Sequence, residues 1–214
     1  MNNKKDFSKV ITFDGTSGSG KGTIAKKIAK HYDYVYLDTG KLYRALASLI
    51  NTDSNDLDYI NKLEILVKKI TPQLLASSSL YDEKITLLAS KIAENTQVRK
   101  ALFSFQRDFV LCNDGVVLDG RDTGSVICPE AMHKFYIDAD LTVRAKRRYL
   151  QNKNFYDNAN LNISAIKSSL YDRDQRDKKR KIAPLMVPQG ANIIDNSNDN
   201  LDDVIKKIID IIDY

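Results

Sequence analysis

One short stretch limits what this chain can fold into more than any other. Gly15-Thr16-Ser17-Gly18-Ser19-Gly20-Lys21-Gly22-Thr23 lies directly between an apolar run, Val10–Phe13, and Lys21–Tyr32, where Ile24, Ala25, Ile28 and Ala29 recur at helical spacing. A strand entering and a helix leaving a glycine-rich loop make a cradle for an anion. Backbone N–H groups wrap a phosphate only where side chains are small or absent, which Gly15, Gly18 and Gly20 permit. The helix then points its N-terminal dipole at the anion, and Lys21 reaches the β- and γ-phosphates. A Gly/Ser-rich turn that happens to hold a lysine is the plainer alternative, and the flanking strand and helix weigh against it. Gly22 stands where the general motif has Ser or Thr, and the hydroxyl comes one place later, at Thr23.

The rest of the chain continues the alternation. Tyr34–Leu37 is predicted as a second strand and Lys41–Ile50 as a helix; Gly115–Leu118, Lys134–Ile137 and Asn192–Ile194 are further strand-like runs, each running into an aspartate. Such alternation predicts an α/β fold, a parallel sheet with helices on both faces, whose ligands sit beyond the carboxyl ends of the strands. Two regions break the pattern. Residues 52–98 are mainly helical by periodicity but interrupted at Pro72 and Ser77-Ser78-Ser79, which predicts an insertion hung off the core. Residues 151–162, rich in Asn, are predicted as a mobile loop. Apolar residues at 201, 204, 205, 208 and 212 predict a terminal helix docked on its own core rather than one offered to a partner.

Composition narrows the class. At 214 residues a single domain is expected, and an excess of 33 Lys and Arg over 28 acids is too small to demand a nucleic acid. The two cysteines, Cys112 and Cys128, lie among apolar residues without CxxC spacing and are expected to be reduced core thiols. The N-terminus lacks a signal-peptide run, and no stretch approaches the about 18 apolar residues of a membrane span. A cytoplasmic protein is expected, with neither membrane nor nucleic-acid partners.

Among phosphate-loop classes, a GTPase needs Asn-Lys-x-Asp after a late strand; Asn152-Lys153-Asn154 lacks the aspartate. A kinase remains. Asp38–Arg44 follows the second predicted strand and Asp119–Gly124 the third, so Arg44 and Arg121 are expected at the same crevice as the loop, clamping one phosphate with forked hydrogen bonds. Basic runs at Arg144–Arg148 and Arg173–Arg180 flank the Asn-rich segment as the arms of a flap would. Phosphoryl transfer needs charge neutralisation and exclusion of water, which such a flap supplies. A solvated helix face or a nucleic-acid patch are the competing readings, and Asp174 and Asp177 inside the second run favour a structured ligand site.

Taken together, Gly15–Thr23, Asp38–Arg44, Asp119–Val126, Arg144–Arg148 and Arg173–Leu185 resemble bacterial cytidylate kinases along nearly the whole chain. The resemblance implies a phosphate-loop NTPase fold with a five-stranded parallel sheet, a monophosphate-binding insertion over about 52–98 and a lid over about 151–176. It implies transfer of the γ-phosphoryl group of ATP to CMP, with dCMP as a further acceptor, and Mg²⁺ held mainly by phosphates and water, with Thr23 as a candidate ligand. By the same resemblance Thr39, Arg44, Ser90, Arg99, Arg121, Asp122, Asp177 and Arg180 hold CMP; Ser90, Arg99, Asp177 and Arg180 read the cytosine, and Asp122 orients Arg180 or a ribose hydroxyl. Lys21, Arg121, Arg147 and Arg173 are the expected catalytic cations, with Arg148 and Arg176 as further lid groups. Thr16 replaces a common proline and Thr39 a common serine, and residues 70–85 are too short for the small sheet usual in the insertion.

The chemistry expected is direct in-line transfer by a monomer. A phosphate acceptor with a second pKa of about 6 is already ionised, so no general base is required and His31 and His133 are not candidates. Two rivals remain open: a phosphate-loop kinase for another monophosphate or for a small alcohol, the latter using Asp38 or Asp122 as base, and a nucleic-acid-binding module built on residues 144–181.

Overall fold

In the computed structural model, residues 6–50, 59–155 and 162–214 are described. Their contacts divide the chain into two compact units, Met1–Leu37 with Asp114–Tyr214, and Asp38–Asn113.

The first unit is built on a five-stranded sheet in the order β2-β3-β1-β4-β5, formed by β1 (Val10–Gly15), β2 (Val35–Asp38), β3 (Val116–Asp119), β4 (His133–Asp138) and β5 (Asn192–Asp195). Pairing is parallel where β1 meets β3 and β4 and where β4 meets β5. All six residues of β1 and all four of β3 are buried, as expected for strands covered on both faces. The edge strands are only partly covered, with Ile193 63% exposed on β5. Because β1 is central, the loop leaving it opens where connections depart to opposite sides of the sheet, the usual ligand position in such folds.

Apolar spacing in the sequence decides which helix faces are buried. Ile24, Ala25, Ile28 and Ala29 of α1 (Lys21–Tyr32) pack on Ile11, Phe13, Val117 and Phe135 of the sheet. Phe13 and Phe135 stack with ring centres 5.2 Å apart. The terminal helix, α9 (Leu201–Ile212), buries Val204 and Ile208 in the same core, so the reading as a docked helix holds. Two long helices complete this unit, α7 (Leu141–Phe155) and α8 (Ile163–Lys179), and they lie against one another.

The second unit is helical throughout its described residues. It comprises α2 (Thr39–Leu49), α3 (Leu63–Lys68), α4 (Pro72–Ala76), α5 (Glu83–Ile92) and α6 (Thr96–Cys112), with a short 3₁₀ turn at Ser78–Tyr81. Side-chain caps set the starts: Asp38 accepts the Lys41 N–H on α2, Asp82 those of Lys84 and Ile85 on α5, and Asn95 those of Gln97 and Val98 on α6. Leu42, Leu46, Leu80 and Leu102 are fully buried within it. No strand forms over 70–85, in keeping with the short sequence there.

Two expectations need correction. Residues 151–155 are helical rather than loop, because extending an existing helix adds one hydrogen bond per residue fixed and escapes the cost of nucleation. Asn162, at the other end of that expected loop, caps α8 through the Ser164 N–H, and 156–161 lie outside the described residues. Cys128 is buried, but Cys112 is exposed: as the last residue of α6 it falls off the face marked by Val98, Leu102, Gln106 and Val110. Truncating a core contact of the terminal helix gives a direct test of its docking. Ile208→Ala is expected to cost roughly 2–5 kcal/mol in urea unfolding, far more than an exposed terminal helix would lose.

Candidate active site

The loop between β1 and α1 is held from outside by its neighbours in the first unit. Thr16 donates its hydroxyl to Asp138 at the end of β4, at 2.6 Å. The Ser17 N–H is taken by Asp174 of α8 at 2.9 Å, and the Ser17 carbonyl accepts from Arg144 of α7, also at 2.9 Å. One step on, the Ser19 carbonyl accepts from Asn196 Nδ2 at 2.7 Å and from Arg147 Nη1 at 3.4 Å. Gly20, with φ of 93°, sits in the left-handed region at the cap of α1, a conformation that side chains resist.

Lys21 opens α1 and is buried, its ammonium 3.9 Å from Asp119 Oδ1 at the end of β3. The other oxygen of Asp119 accepts from the Tyr36 hydroxyl at 2.9 Å. This approach explains Gly22. A Cβ there would meet Asp119 Oδ2 at 2.8 Å, so any side chain would push that carboxylate away, and the first hydroxyl of the helix belongs to the exposed Thr23.

Beyond β3 the chain places an alternating array of acids and arginines. Arg121 Nε donates to Asp177 Oδ2 at 2.9 Å, Arg180 Nη2 donates to Asp122 Oδ1 at 3.2 Å, and Arg180 Nη1 lies 3.9 Å from Asp177. Burial works against the Asp177 carboxylate, yet Arg121, Arg173 and Arg180 together hold its pKa below the ordinary value. Arg121 responds in the opposite sense: burial disfavours its charge, but Asp177, with Asp119 and Asp174, raises its pKa. The loop carrying Arg121 and Asp122 is anchored by Asp14, which accepts from the Thr123 N–H and hydroxyl and the Gly124 N–H at 2.8–2.9 Å. Burial pushes the Asp14 pKa up to about 6, against the pull of those donors.

The second unit carries its own set of cations. Arg44 lies over the Tyr81 ring at 5.0 Å with Asp38 3.5 Å away, and Lys41 lies over the same ring at 5.7 Å. Arg99, buried, donates to the Ala93 carbonyl at 3.2 Å and lies over Tyr43 at 5.7 Å. Thr39 is buried in the first turn of α2, and Ser90 is half-buried on α5.

A sequence profile described as Cytidylate kinase matches residues 11–214. The chain belongs to the cytidylate kinase family. The cytidylate kinase of Bradyrhizobium diazoefficiens is 38% identical over 204 residues, covering 95% of each chain. That of Rhodopseudomonas palustris strain BisB18 is 37% identical over the same span and coverage. Among solved structures, an uncharacterized protein from Eubacterium ventriosum superposes with a TM-score of 0.57 over 96% of this chain and 98% of its own. At 16% identity that likeness concerns the fold alone.

Membership of the cytidylate kinase family gives the geometry a frame. Thr16 is tied to Asp138 through its hydroxyl, while Gly22 leaves space for the Asp119 carboxylate. Of the expected flap arginines, Arg147 reaches the Ser19 carbonyl and, at 2.7 Å, that of Asn196; Arg173 is half-buried and acts on Asp177. Arg148 instead donates to Gln151 on its own helix, and Arg176 is exposed. His31, in the last turn of α1, and His133, the first residue of β4, lie at the ends of those elements remote from the loop. The sequence assigns no role to Asp14, Asp138 or Asn196, and it places Arg144 in a flap arm and Asp174 in a ligand site without pointing to Ser17, which both hold. The first three sit at or just beyond strand ends, the one signal that marked them.

The Asp177 pairs make stability depend on pH. A depressed carboxylate pKa contributes stability that is fully present above the ordinary value of 3.8 and is lost as pH falls through the lower folded-state value. In urea unfolding, the stability difference between the unaltered protein and Asp177→Asn is therefore expected to be constant at higher pH and to shrink below pH 3.8. A difference that persists into acid would remove the ionic account of Asp177.

Proposed function

We propose that this chain transfers the γ-phosphoryl group of ATP to CMP, and to dCMP, giving ADP and the nucleoside diphosphate by direct in-line displacement. The observation that carries this reading is the pairing, within one unit of a cytidylate kinase family member, of a phosphate loop with an acid–arginine array at the neighbouring strand end, Asp119 standing beside both. Gly15–Thr23 binds ATP, with Lys21 on its β- and γ-phosphates. Arg44, Arg121 and Arg180 bind the acceptor phosphate, while Thr39, Ser90, Arg99, Asp122 and Asp177 orient the nucleoside. Arg147 and Arg173 supply further positive charge to the transferring group. In this reading the insertion over 52–98 shapes the base pocket and the lid over 151–176 excludes water.

Mg²⁺ takes oxygen ligands. The buried Asp119 carboxylate, whose Oδ1 lies 3.9 Å from Lys21 and accepts no hydrogen bond among the described residues, and the Thr23 hydroxyl on the first turn of α1 are oxygen donors at the loop that would fit it, with phosphate oxygens and water completing the shell. When bound, the ion offsets charge on the phosphates. The chain's own contribution is positional. The acceptor oxygen is already ionised and needs no base, so the arginines neutralise repulsion between the two phosphates and align them.

The rival readings fit less well. An alcohol kinase needs a free carboxylate at the acceptor, whereas Asp38 caps α2 and pairs with Arg44, and Asp122 receives Arg180. A nucleic-acid face on 144–181 keeps Lys146, Arg176, Lys178 and Lys179 outward, but Arg144 is buried against Asp174 and Arg180 is held by Asp122. A monomer in the cytoplasm is the state this reading takes. Among the described residues no helix is long and apolar enough to cross a membrane.

Steady-state turnover with CMP, dCMP, UMP and AMP at fixed Mg·ATP tests the proposal, and activity is expected with the first two. Phosphorylation of an alcohol and of no monophosphate would replace it. Lys21→Ala is expected to abolish turnover. Arg180→Ala is expected to raise KM for CMP by about tenfold or more while moving KM for ATP far less.

A further inference from the structure

Two buried charges are left without a part in the chemistry. Arg144 and Asp174, at 6% and 4% exposure, pair at 2.5 Å between α7 and α8. A pair this deep costs desolvation on both sides, and an apolar pair of similar volume would join two helices as well. What an apolar pair cannot do is hold the loop. Asp174 Oδ1 takes the Ser17 N–H and Arg144 Nη1 donates to the Ser17 carbonyl, each at 2.9 Å, so this one residue is gripped at both of its backbone polar groups. Arg144 Nε is itself fixed on the Ala139 carbonyl, just past β4, at 2.8 Å. One turn before Asp174 on α8, Leu170 lies beside Gly18, as does Arg144 Cβ. The next acid along α8, Asp177, holds Arg121.

We propose that Arg144 and Asp174 are positioning residues that set the backbone of the phosphate loop at Ser17–Gly18 for the nucleotide phosphates, rather than simply joining two helices. The inference rests on the reading of that loop as the ATP site. The bond that matters is the acceptor on Ser17 N–H. An asparagine at 174 keeps an oxygen for it and an alanine does not, although both strand the buried Arg144 charge.

The test is calorimetric binding of ADP and of CMP, with melting temperature measured alongside, so that no turnover is needed. Asp174→Ala is expected to weaken ADP by about tenfold or more, with CMP changed less than about threefold. Asp174→Asn is expected to fall in melting temperature as far as the alanine variant yet to bind ADP within about threefold of the unaltered protein. The decisive variant is the apolar double replacement Arg144→Met with Asp174→Leu, which leaves no unpaired charge and is expected to recover the melting temperature but not ADP affinity. Recovery of both together would overturn the proposal, as would equal loss of ADP binding in the alanine and asparagine variants, and the double variant keeps the test alive if the alanine variant does not fold. Failure of the unaltered protein to bind ADP would overturn the kinase reading itself, and this inference with it.

Discussion

A loop that must receive phosphate through its backbone N–H groups cannot also bury them in a core, so its shape has to be imposed from outside. Here the imposition is made by hydrogen bonds from elements far apart in sequence. Asp138 ends β4, Asn196 follows β5, Arg144 and Arg147 belong to α7, and Asp174 to α8; each touches a backbone or side-chain group of Thr16, Ser17 or Ser19. The central position of β1 makes this possible, because the ends of its two neighbours and the elements that follow them all reach the loop it feeds. The sheet order is thus a condition of the site as much as of the core.

The same unit solves a second problem, that of keeping several arginines together without a ligand. Like charges in a partly buried cluster repel, and each pays desolvation unless matched. Asp122, Asp174 and Asp177 match Arg180, Arg144 and Arg121. The opposite pKa displacements of Asp177 and Arg121 are two views of that matching: each ion favours the charged form of the other. Aspartate suits this position, since its short side chain holds the guanidinium in a fixed direction. In the second unit aromatic faces serve the same end, with Tyr81 under Lys41 and Arg44 and Tyr43 beneath Arg99.

How much of this was legible in the sequence follows from the range of each interaction. Local periodicity marked β1 and α1 to within two residues, since strand and helix faces are written in consecutive positions. The glycine loop was legible for the same reason. Interactions spanning the chain were not: the Ser17–Asp174 contact joins positions 157 apart, and nothing local to Asp174 says which N–H it will take. Its presence inside a run of basic residues hinted only that the run was not a plain polyanion surface. Over residues 151–155 the expected loop at 151–162 failed differently. Asparagine-rich composition disfavours starting a helix but has less power to end one already running from Leu141. Cys112 shows the limit of composition alone, since an apolar neighbourhood in sequence surrounds a residue that leaves the buried stripe of its helix.

Gly22 links these levels. Read alone, it is a departure from the general phosphate-loop motif, a missing hydroxyl. In the fold it is the space that lets the Asp119 carboxylate come against the first turn of α1, close to Lys21 and in the field of Arg121. With a side chain at 22, Asp119 would have to withdraw, and the carboxylate standing between the loop and the arginine array would be lost. The absence of a Cβ at one position therefore allows the donor loop and the neighbouring array to share a single acid, and the first hydroxyl of the helix comes one residue later, at Thr23.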